Sequence, residues 1–189
     1  MENYYSDYII IVMKILFISP LPPPVGGHSL LSEALLNGLS SKHNITVVDY
    51  SKDSYKQGVD SIKRVFQVFR ALLKIWKGKK NADCIYLTIS ESLAGNIKDL
   101  VIYLICRKHI DKMYLHLHGG SIKKLLWDQM DWLYKINKYC IQKMAGVIVS
   151  GKSHQYIFKG MISNEKIHIV PNFSQDLFFV DNQEIENKF

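Results

Sequence analysis

Residues 14–37, KILFISPLPPPVGGHSLLSEALLN, decide the fold of this 189-residue chain. The stretch opens with the apolar run ILFI at 15–18, which is short and β-branched enough to be a buried strand. The prolines after it end the strand, because proline lacks an N–H and fixes φ. Gly26 and Gly27 then make a turn, and from His28 onward apolar residues recur at helical spacing. A strand, a glycine turn and a helix N-terminus gather free N–H groups that suit a phosphate, although the glycines can equally serve a tight turn alone.

Neither common nucleotide-binding loop is present in this stretch. The glycines do not follow G-x-G-x-x-G, and no Gly-Lys-Ser/Thr completes a Walker A loop. The next predicted strand, residues 44–50, carries Asp49 near its end, where dinucleotide folds place a ribose-binding carboxylate. Because the glycine fingerprint that should accompany it is missing, Asp49 is left unassigned.

Predicted strands and helices alternate along the rest of the chain. Further strands are expected at 83–89, 112–118, 146–150 and 166–170, and helices at 62–80, 93–107, 122–144 and 152–160. This alternation predicts βαβ units, and hence an α/β fold with a Rossmann-like parallel sheet and helices on both faces. The length allows one well-packed domain and is too short for two. We expect an N-terminal extension at 1–12, the domain at 13–172, and a tail or the start of a linker at 173–189.

The composition indicates a soluble, globular protein, since 48% of the residues are apolar. Cys84, Cys106 and Cys140 are widely spaced with no C-x-x-C, so we expect reduced core residues and not disulfides or a metal site. The N-terminus is acidic where a signal peptide is basic, and no run approaches the ~20 apolar residues that cross a bilayer. The net charge is +7, and the positive charge is concentrated in residues 61–80, which hold 7 Lys or Arg and no acidic residue. This concentration indicates a contact surface.

The predicted helix at 62–80 carries that charge. Its apolar side chains form one stripe: Val65, Val68, Phe69, Leu72, Leu73 and Trp76. Its basic side chains flank the stripe and occupy the C-terminal end: Lys63, Arg64, Arg70, Lys74, Lys77, Lys79 and Lys80. Such a helix can lie on an anionic bilayer, where each Lys or Arg contributes ~1 kcal/mol, or it can be an ordinary helix packed on the sheet with a solvated basic face.

Ligands of open α/β sheets bind outside the carboxyl ends of the strands. Five clusters come to that edge: Gly26-Gly27-His28, Ser90-Glu91-Ser92, His118-Gly119-Gly120, Ser150-Gly151-Lys152-Ser153 and Pro171-Asn172. His118 is the most informative of these residues, because it ends a strand beside two glycines and can there bind a sugar hydroxyl or balance developing charge. His116 shares its face of the strand, yet no Asp, Glu or Cys at ligand spacing supports a paired-histidine metal site.

Two further classes of function lack support in the sequence. No signature of nucleophilic catalysis by Ser or Cys is visible. The basic residues occupy one amphipathic helix, and no RRM, KH or zinc pattern occurs. We therefore do not expect nucleic acid as a partner.

Five segments, taken in order, resemble the N-terminal domain of GT-B glycosyltransferases of family 4, which are retaining enzymes that transfer sugars from nucleotide diphosphate sugars. They are MKILFISPLPPPVGG, YLTISES with AGNIKDL, LHLHGGS, GVIVSGKS and IHIVPNF, and they extend from Met13 to about Asn172. YLTIS and HLHGG are particularly similar to bacterial enzymes that build capsular, exo- or O-antigen polysaccharide on a lipid carrier. The resemblance implies a nucleotide-sugar donor, a lipid-linked or glycan acceptor, no cofactor and no metal.

Site residues follow from the resemblance by position. His118 matches the histidine that approaches the donor sugar, and is the implied catalytic residue, while Gly26 and Gly27 match the loop that faces the donor diphosphate. The acceptor side would comprise His28, Ser90, Glu91, Gly119 and Gly120, and the other cleft edge Ser150, Ser153 and Asn172. Family members with lipid-linked acceptors dock on the inner face of the cell membrane through basic surfaces of this domain. This favours membrane contact by Lys63, Arg64, Phe69, Arg70, Trp76 and Lys77.

The family's second Rossmann-like domain, which holds most nucleotide contacts, is not in this sequence. We therefore expect an acceptor-side half that is inactive without a donor-binding domain, which a separate chain can supply. One alternative is a non-catalytic, membrane-associated acceptor-binding subunit or a truncated remnant. Another is an unrelated Rossmann-like nucleotide-binding protein, against which the missing glycine fingerprint already counts.

Overall fold

One sheet of six parallel strands organises the molecule, of which a computed structural model describes residues 11–51 and 62–171, without the side chains of residues 62 and 63. Its strands are β1 (Lys14–Ser19), β2 (Asn44–Asp49), β3 (Cys84–Thr88), β4 (Met113–Leu117), β5 (Gly146–Val149) and β6 (Ile167–Ile169). Their order across the sheet is β2-β1-β3-β4-β5-β6, with every neighbouring pair parallel. Most of the predicted extension, the predicted tail and Asn172 lie outside the described residues.

Helices cover both faces of the sheet, as the alternation predicts. They are α1 (Gly27–Ser40), α2 (Ile62–Gly78), α3 (Leu93–Cys106) and α4 (Asp131–Ile141). Leucines of α1 pack with Ile15, Phe17 and Tyr86, whereas α2, α3 and α4 pack over the opposite side chains, such as Leu16 and Ile85. The predicted α/β fold with a Rossmann-like parallel sheet is therefore confirmed.

The crevice of the sheet follows from the strand order. The chain leaves β1 for β2 at the edge of the sheet and then crosses back over β1 to β3. The connections after β1 and β3 therefore run in opposite directions, although the two strands are neighbours paired up to Ile18 and Leu87. In open α/β sheets this arrangement leaves a crevice at the carboxyl ends of the two strands.

The predicted continuous helix over residues 122–144 is wrong. The chain forms a π-helical segment, Lys123–Trp127, and α4 begins only after Met130, whose backbone is extended (φ −135°, ψ 91°). Trp127 is 3% exposed, and its ring packs against Tyr134 at 6.5 Å and Phe158 at 5.8 Å between centroids. Burying this large side chain in the core accompanies the break. The predicted short helix at 152–160 is a 3₁₀ helix, Lys152–Phe158.

The apolar stripe predicted on α2 is not the side of the helix that enters the core. Val65, Phe69 and Trp76 are each 56% exposed, Leu73 is also exposed, and Val68 and Leu72 are only half-buried. The core contacts of α2 come from Ala71 and Ile75, which are buried and lie outside the predicted stripe. Since α2 packs beside α3, exposed apolar side chains of both helices form what we call the outer apolar surface: Val65, Phe66, Phe69, Leu73 and Trp76 of α2, with Leu93, Ile97, Val101 and Leu104 of α3. No helix within the described ranges is long and apolar enough to cross a membrane.

Candidate functional site

A cleft of about 520 Å³ lies at the crevice between β1 and β3, and its size is that of a small-molecule site. It is lined by residues that follow β1, β2, β3 and β4 and by the start of α1: Pro20, Gly27, His28, Leu31, Tyr50, Ile89, Ser90, Glu91, His118 and Gly119. Six of these are residues that the sequence predicts for the site: Gly27, His28, Ser90, Glu91, His118 and Gly119. The fold brings them together because the carboxyl ends of parallel strands meet at one edge.

Three histidine rings lie side by side at the base of the cleft. The rings of His116 and His118 are 3.9 Å apart between centroids, and the ring of His28 lies 4.5 Å from that of His118. Both ring nitrogens of His118 are buried, and neither has a hydrogen-bond partner among the described residues. A neutral imidazole has one donor and one acceptor, and neither is used within the described residues.

Burial keeps His116 and His118 uncharged. Desolvation, together with the neighbouring imidazoles, lowers the pKa of His118 to about 2 and that of His116 to about 4. Burial also lowers the pKa of His28. At neutral pH the base of the cleft therefore presents hydrogen-bonding groups and not cations.

A buried polar layer supports the histidines from below. The Tyr86 hydroxyl and His116 Nδ1 lie 2.6 Å apart, a hydrogen bond that fixes the His116 ring. Thr88, the register neighbour of His116 on β3, places Oγ1 2.8 Å from Ser19 Oγ, which in turn donates to Ser32 Oγ of α1 at 2.7 Å. The layer ties α1 to β1, β3 and β4 directly beneath the cleft.

Glu91 forms one wall of the cleft beside the loop after β4. Its Oε2 accepts a hydrogen bond from the Ser121 N–H at 3.3 Å, whereas its buried Oε1 has no partner in the part of the chain that the structure describes. A Cβ on Gly119 would lie 2.8 Å from Glu91 Cδ, so only glycine allows this approach. Burial raises the pKa of Glu91, while the Ser121 N–H and His154 act in the opposite direction.

His154 holds the other side of the same loop. Its Nδ1 lies 2.8 Å from Ser150 Oγ, and its Nε2 would be 2.7 Å from a Cβ on Gly120. Gly119 and Gly120 therefore pass between Glu91 and His154. Ser150, predicted for the cleft edge, donates directly to the His118 carbonyl at 3.4 Å and also bonds His154, but it does not line the cleft.

A buried carboxylate fixes the turn that carries Glu91. Asp99 is fully buried, and its Oδ2 accepts the Ser90 N–H at 2.7 Å while its Oδ1 pairs with Lys98 Nζ at 2.6 Å. Lys98 Nζ also lies 3.8 Å from the centroid of the Tyr50 ring. Burial raises the pKa of Asp99, and the contacts with Lys98 and Ser90 offset part of that rise.

The two glycines before α1 have different surroundings. Gly26 precedes the helix, and its N–H donates to Ser29 Oγ at 3.0 Å. Gly27 is the first helical residue and lines the cleft. Because the first N–H groups of a helix lack intrahelical acceptors, α1 presents its positive end to the cleft at Gly27 and His28.

The remaining predicted site residues lie elsewhere. Ser153 is exposed on the 3₁₀ helix and does not line the cleft. Arg64 turns toward the protein, where it donates to the carbonyls of Tyr50 at 2.8 Å and Ser51 at 2.7 Å. The other membrane-contact candidates on α2 with described side chains are exposed: Phe69, Arg70, Trp76 and Lys77.

Sequence reasoning did not find Tyr86, Asp99 or His154. Tyr86 lies inside a strand and His154 inside the short 3₁₀ helix, where no local pattern marks them. Asp99 lies on the buried side of α3 with Ile102 and Tyr103, but apolar residues occur all round this helix, so the sequence does not show which side is buried. A polar residue at such a position needs a buried partner.

Within residues 11–51 and 62–171, no three His, Cys, Asp or Glu side chains are grouped so that they could hold a metal ion. In comparison with known proteins, the chain matches no family model, and no curated protein matches it. Inferences about function therefore start from the geometry of the cleft.

Proposed function

We propose that this protein is the acceptor-side half of a family 4 GT-B glycosyltransferase, which transfers a sugar from a nucleotide sugar to a lipid-linked or glycan acceptor in bacterial cell-surface polysaccharide synthesis. The observation that carries the proposal is a set of three buried polar atoms that have no partner within residues 11–51 and 62–171, Glu91 Oε1 and both ring nitrogens of His118, on side chains that line one cleft. An unpaired buried polar atom costs about 1–3 kcal/mol. A sugar, with several hydroxyls, is a ligand that can pair them all.

Each group has a role in this proposal. His118 binds a hydroxyl of the donor sugar near the reacting carbon, and as a neutral ring it can both donate and accept. Glu91 accepts a hydrogen bond from a hydroxyl of the acceptor. The N-terminus of α1 at Gly27 faces the donor diphosphate, whose negative charge the helix dipole favours.

Transfer in the resembled family takes place between two domains, and the cleft would form one wall of that site. We therefore expect the 189 residues to bind saccharide ligands and not to complete transfer. A donor-binding domain, in a separate chain or a further segment, would supply the opposite wall.

Ligand-observed NMR on the purified chain tests this proposal with a panel of sugar nucleotides and saccharides. We expect saturable binding that His118→Ala or Glu91→Ala weakens at least tenfold, because each removes a group that pairs with the ligand. Ser153→Ala, an exposed residue outside the cleft, is the matched control and should leave binding unchanged.

Three other outcomes would change the conclusion. If no saccharide or sugar nucleotide binds, the proposal fails. Binding of NAD or S-adenosylmethionine without any response to sugars would favour an unrelated nucleotide-binding protein. Transfer by the chain alone from radiolabelled sugar nucleotides to a membrane lipid extract would show that no second domain is required.

The proposal also places the protein in the cytoplasm, at the inner face of the cell membrane. The outer apolar surface is bordered by Arg70, Lys74 and Lys77, which are all exposed, and an apolar patch with a basic border suits an anionic leaflet. Flotation with vesicles of neutral lipid, with and without anionic lipid, should show a preference for the anionic vesicles. Phe69→Ser should weaken it, and Tyr156→Ser, at an exposed position outside this surface, should not. Absence of the preference would contradict membrane contact.

A further inference from the structure

A second cavity, which we call the side pocket, opens beside the cleft at the first turns of α2 and α3. Its volume is about 340 Å³, which is again in the range of small-molecule sites. Its apolar walls come from Val65 and Val68 of α2 and Ala94 of α3. It shares three lining residues with the cleft, which are Pro20, Tyr50 and Ser90. The two cavities therefore meet at Tyr50, and one elongated ligand can occupy both.

Polar groups around the side pocket are already paired within the protein. Ser51 Oγ donates to a carboxylate at 3.0 Å, and Ser92 Oγ accepts an N–H of α3 at 3.3 Å. Lys98 pairs with Asp99, and Arg64 donates to two main-chain carbonyls. The cleft differs, since three of its buried polar atoms have no partner in the described part of the chain. What the side pocket offers a ligand is therefore mainly apolar surface.

The outer end of the side pocket reaches the outer apolar surface. Val65 belongs to both and is 56% exposed, and Leu93 and Ile97 on α3 are 42% and 45% exposed. The basic border of α2 lies along the same surface. One end of the combined cavity is thus polar, and the other meets a surface suited to an anionic lipid leaflet.

We propose that the side pocket binds the hydrocarbon chain of a lipid-linked saccharide whose sugar lies in the cleft. This inference rests on the proposed function of the cleft and deepens it, because it makes the acceptor a membrane lipid and not a soluble glycan. The chain leaves the sugar beside Tyr50, passes between Val68 and Ala94, and emerges at the outer apolar surface. Burial of about two methylene groups is enough to raise the affinity about tenfold.

Calorimetric titration of the 189-residue chain with methyl and octyl β-glucoside tests the proposal, with octyl glucoside kept below the concentration at which it forms micelles. We expect the octyl compound to bind at least tenfold more tightly. Ala94→Trp, at an exposed position of the wall, should remove that gain by filling the pocket, and Val68→Phe should reduce it from the α2 side. Leu104→Trp introduces the same side chain elsewhere on α3 and should keep the gain.

The outcomes separate this inference from the function of the cleft. Equal affinities for the two glucosides, or a gain that survives both filling substitutions, would overturn the side-pocket proposal and leave the cleft unaffected. A gain that Leu104→Trp also removes would not depend on filling the pocket and would overturn the side-pocket proposal as well. Octyl binding that Ala94→Trp abolishes, with no methyl glucoside binding in any variant, would support the side pocket and count against the cleft.

Discussion

The two faces of the sheet differ at the carboxyl ends of the strands. Toward α2, α3 and α4, the buried strand residues are all apolar and at most 8% exposed: Leu16, Ile18, Val48, Ile85, Leu87, Met113, Leu115, Leu117, Val147, Val149 and Ile167. Toward α1, the carboxyl ends of the same strands bury Ser19, Thr88 and His116. Successive residues of a strand point to opposite faces, so the two kinds of environment lie one residue apart, as at Leu115 and His116.

The two faces of the sheet contribute differently to the stability of the fold and to the chemistry of the cleft. On the apolar face the free energy gained depends on the area buried and has no preferred direction. On the face toward α1 each polar group depends on a particular partner, and losing the partner leaves a buried atom unpaired. The first face therefore fixes most of the free energy of unfolding, and the second positions the groups of the cleft.

Leu115→Ala should give the largest effect, because it leaves a cavity in the apolar face. We expect a loss of about 2–5 kcal/mol in the free energy of unfolding, measured by urea denaturation. Leu104→Ala is the matched control, since Leu104 is 63% exposed, and it should cost less than about 0.5 kcal/mol. Equal losses of unfolding free energy for the two variants would show that the apolar face is not the main source of stability.

Acidification should weaken the fold through the polar face. The pKa values of His116 and His118 are lowered in the folded protein, so the unfolded chain binds more protons below its own histidine pKa of about 6.5. Stability should be complete above that pH and fall toward pH 4, by up to about 1.4 kcal/mol per pH unit for each histidine. Glu91 and Asp99, whose pKa values are raised, oppose this trend.

Urea denaturation at pH 7, 6 and 5 measures this dependence. His118→Asn and His116→Asn should each flatten it, because each removes one group that must stay neutral in the fold. If neither substitution changes the pH dependence, the loss of stability at low pH comes from other groups, and the proposed difference between the two faces is wrong.

Thr88→Val should give the smallest of the three effects. It removes one partner of Ser19 Oγ, which keeps its hydrogen bond to Ser32, so we expect a loss of about 1 kcal/mol. In a double-mutant cycle Ser19→Ala should lower the cost of Thr88→Val, because no buried hydroxyl then loses its partner. Simple additivity in thermal or urea unfolding would show that the two hydroxyls are not coupled.

Much of the fold could be predicted, because hydrophobic periodicity is local. β1 was expected at 15–18 and spans Lys14–Ser19. The error at 122–144 arose because Trp127 is buried against Phe158, a contact between distant segments that no helical pattern contains. Local sequence records which residues are apolar, but not where the core has room for a large ring.

Part of the candidate site could likewise be predicted from the sequence, and part could not. The ends of predicted parallel strands must meet at one edge, so residues such as Glu91 and His118 could be placed together from sequence. Their partners could not, because the contacts of Tyr86 with His116, and of His154 with the glycine loop, depend on how distant segments pack. Arg64 shows the same limit, since it turns toward main-chain carbonyls that no spacing rule indicates.

The passage of Gly119 and Gly120 between Glu91 and His154 also constrains how this chain can change over evolutionary time. A side chain at position 119 needs Glu91 to move or to be replaced, and one at position 120 needs the same of His154. A change at either glycine therefore also disturbs its neighbour across the loop. Gly27, where a Cβ would meet no atom within 4 Å, can change independently of the rest of the fold. We therefore expect position 119 to covary with position 91, and position 120 with position 154, among related sequences.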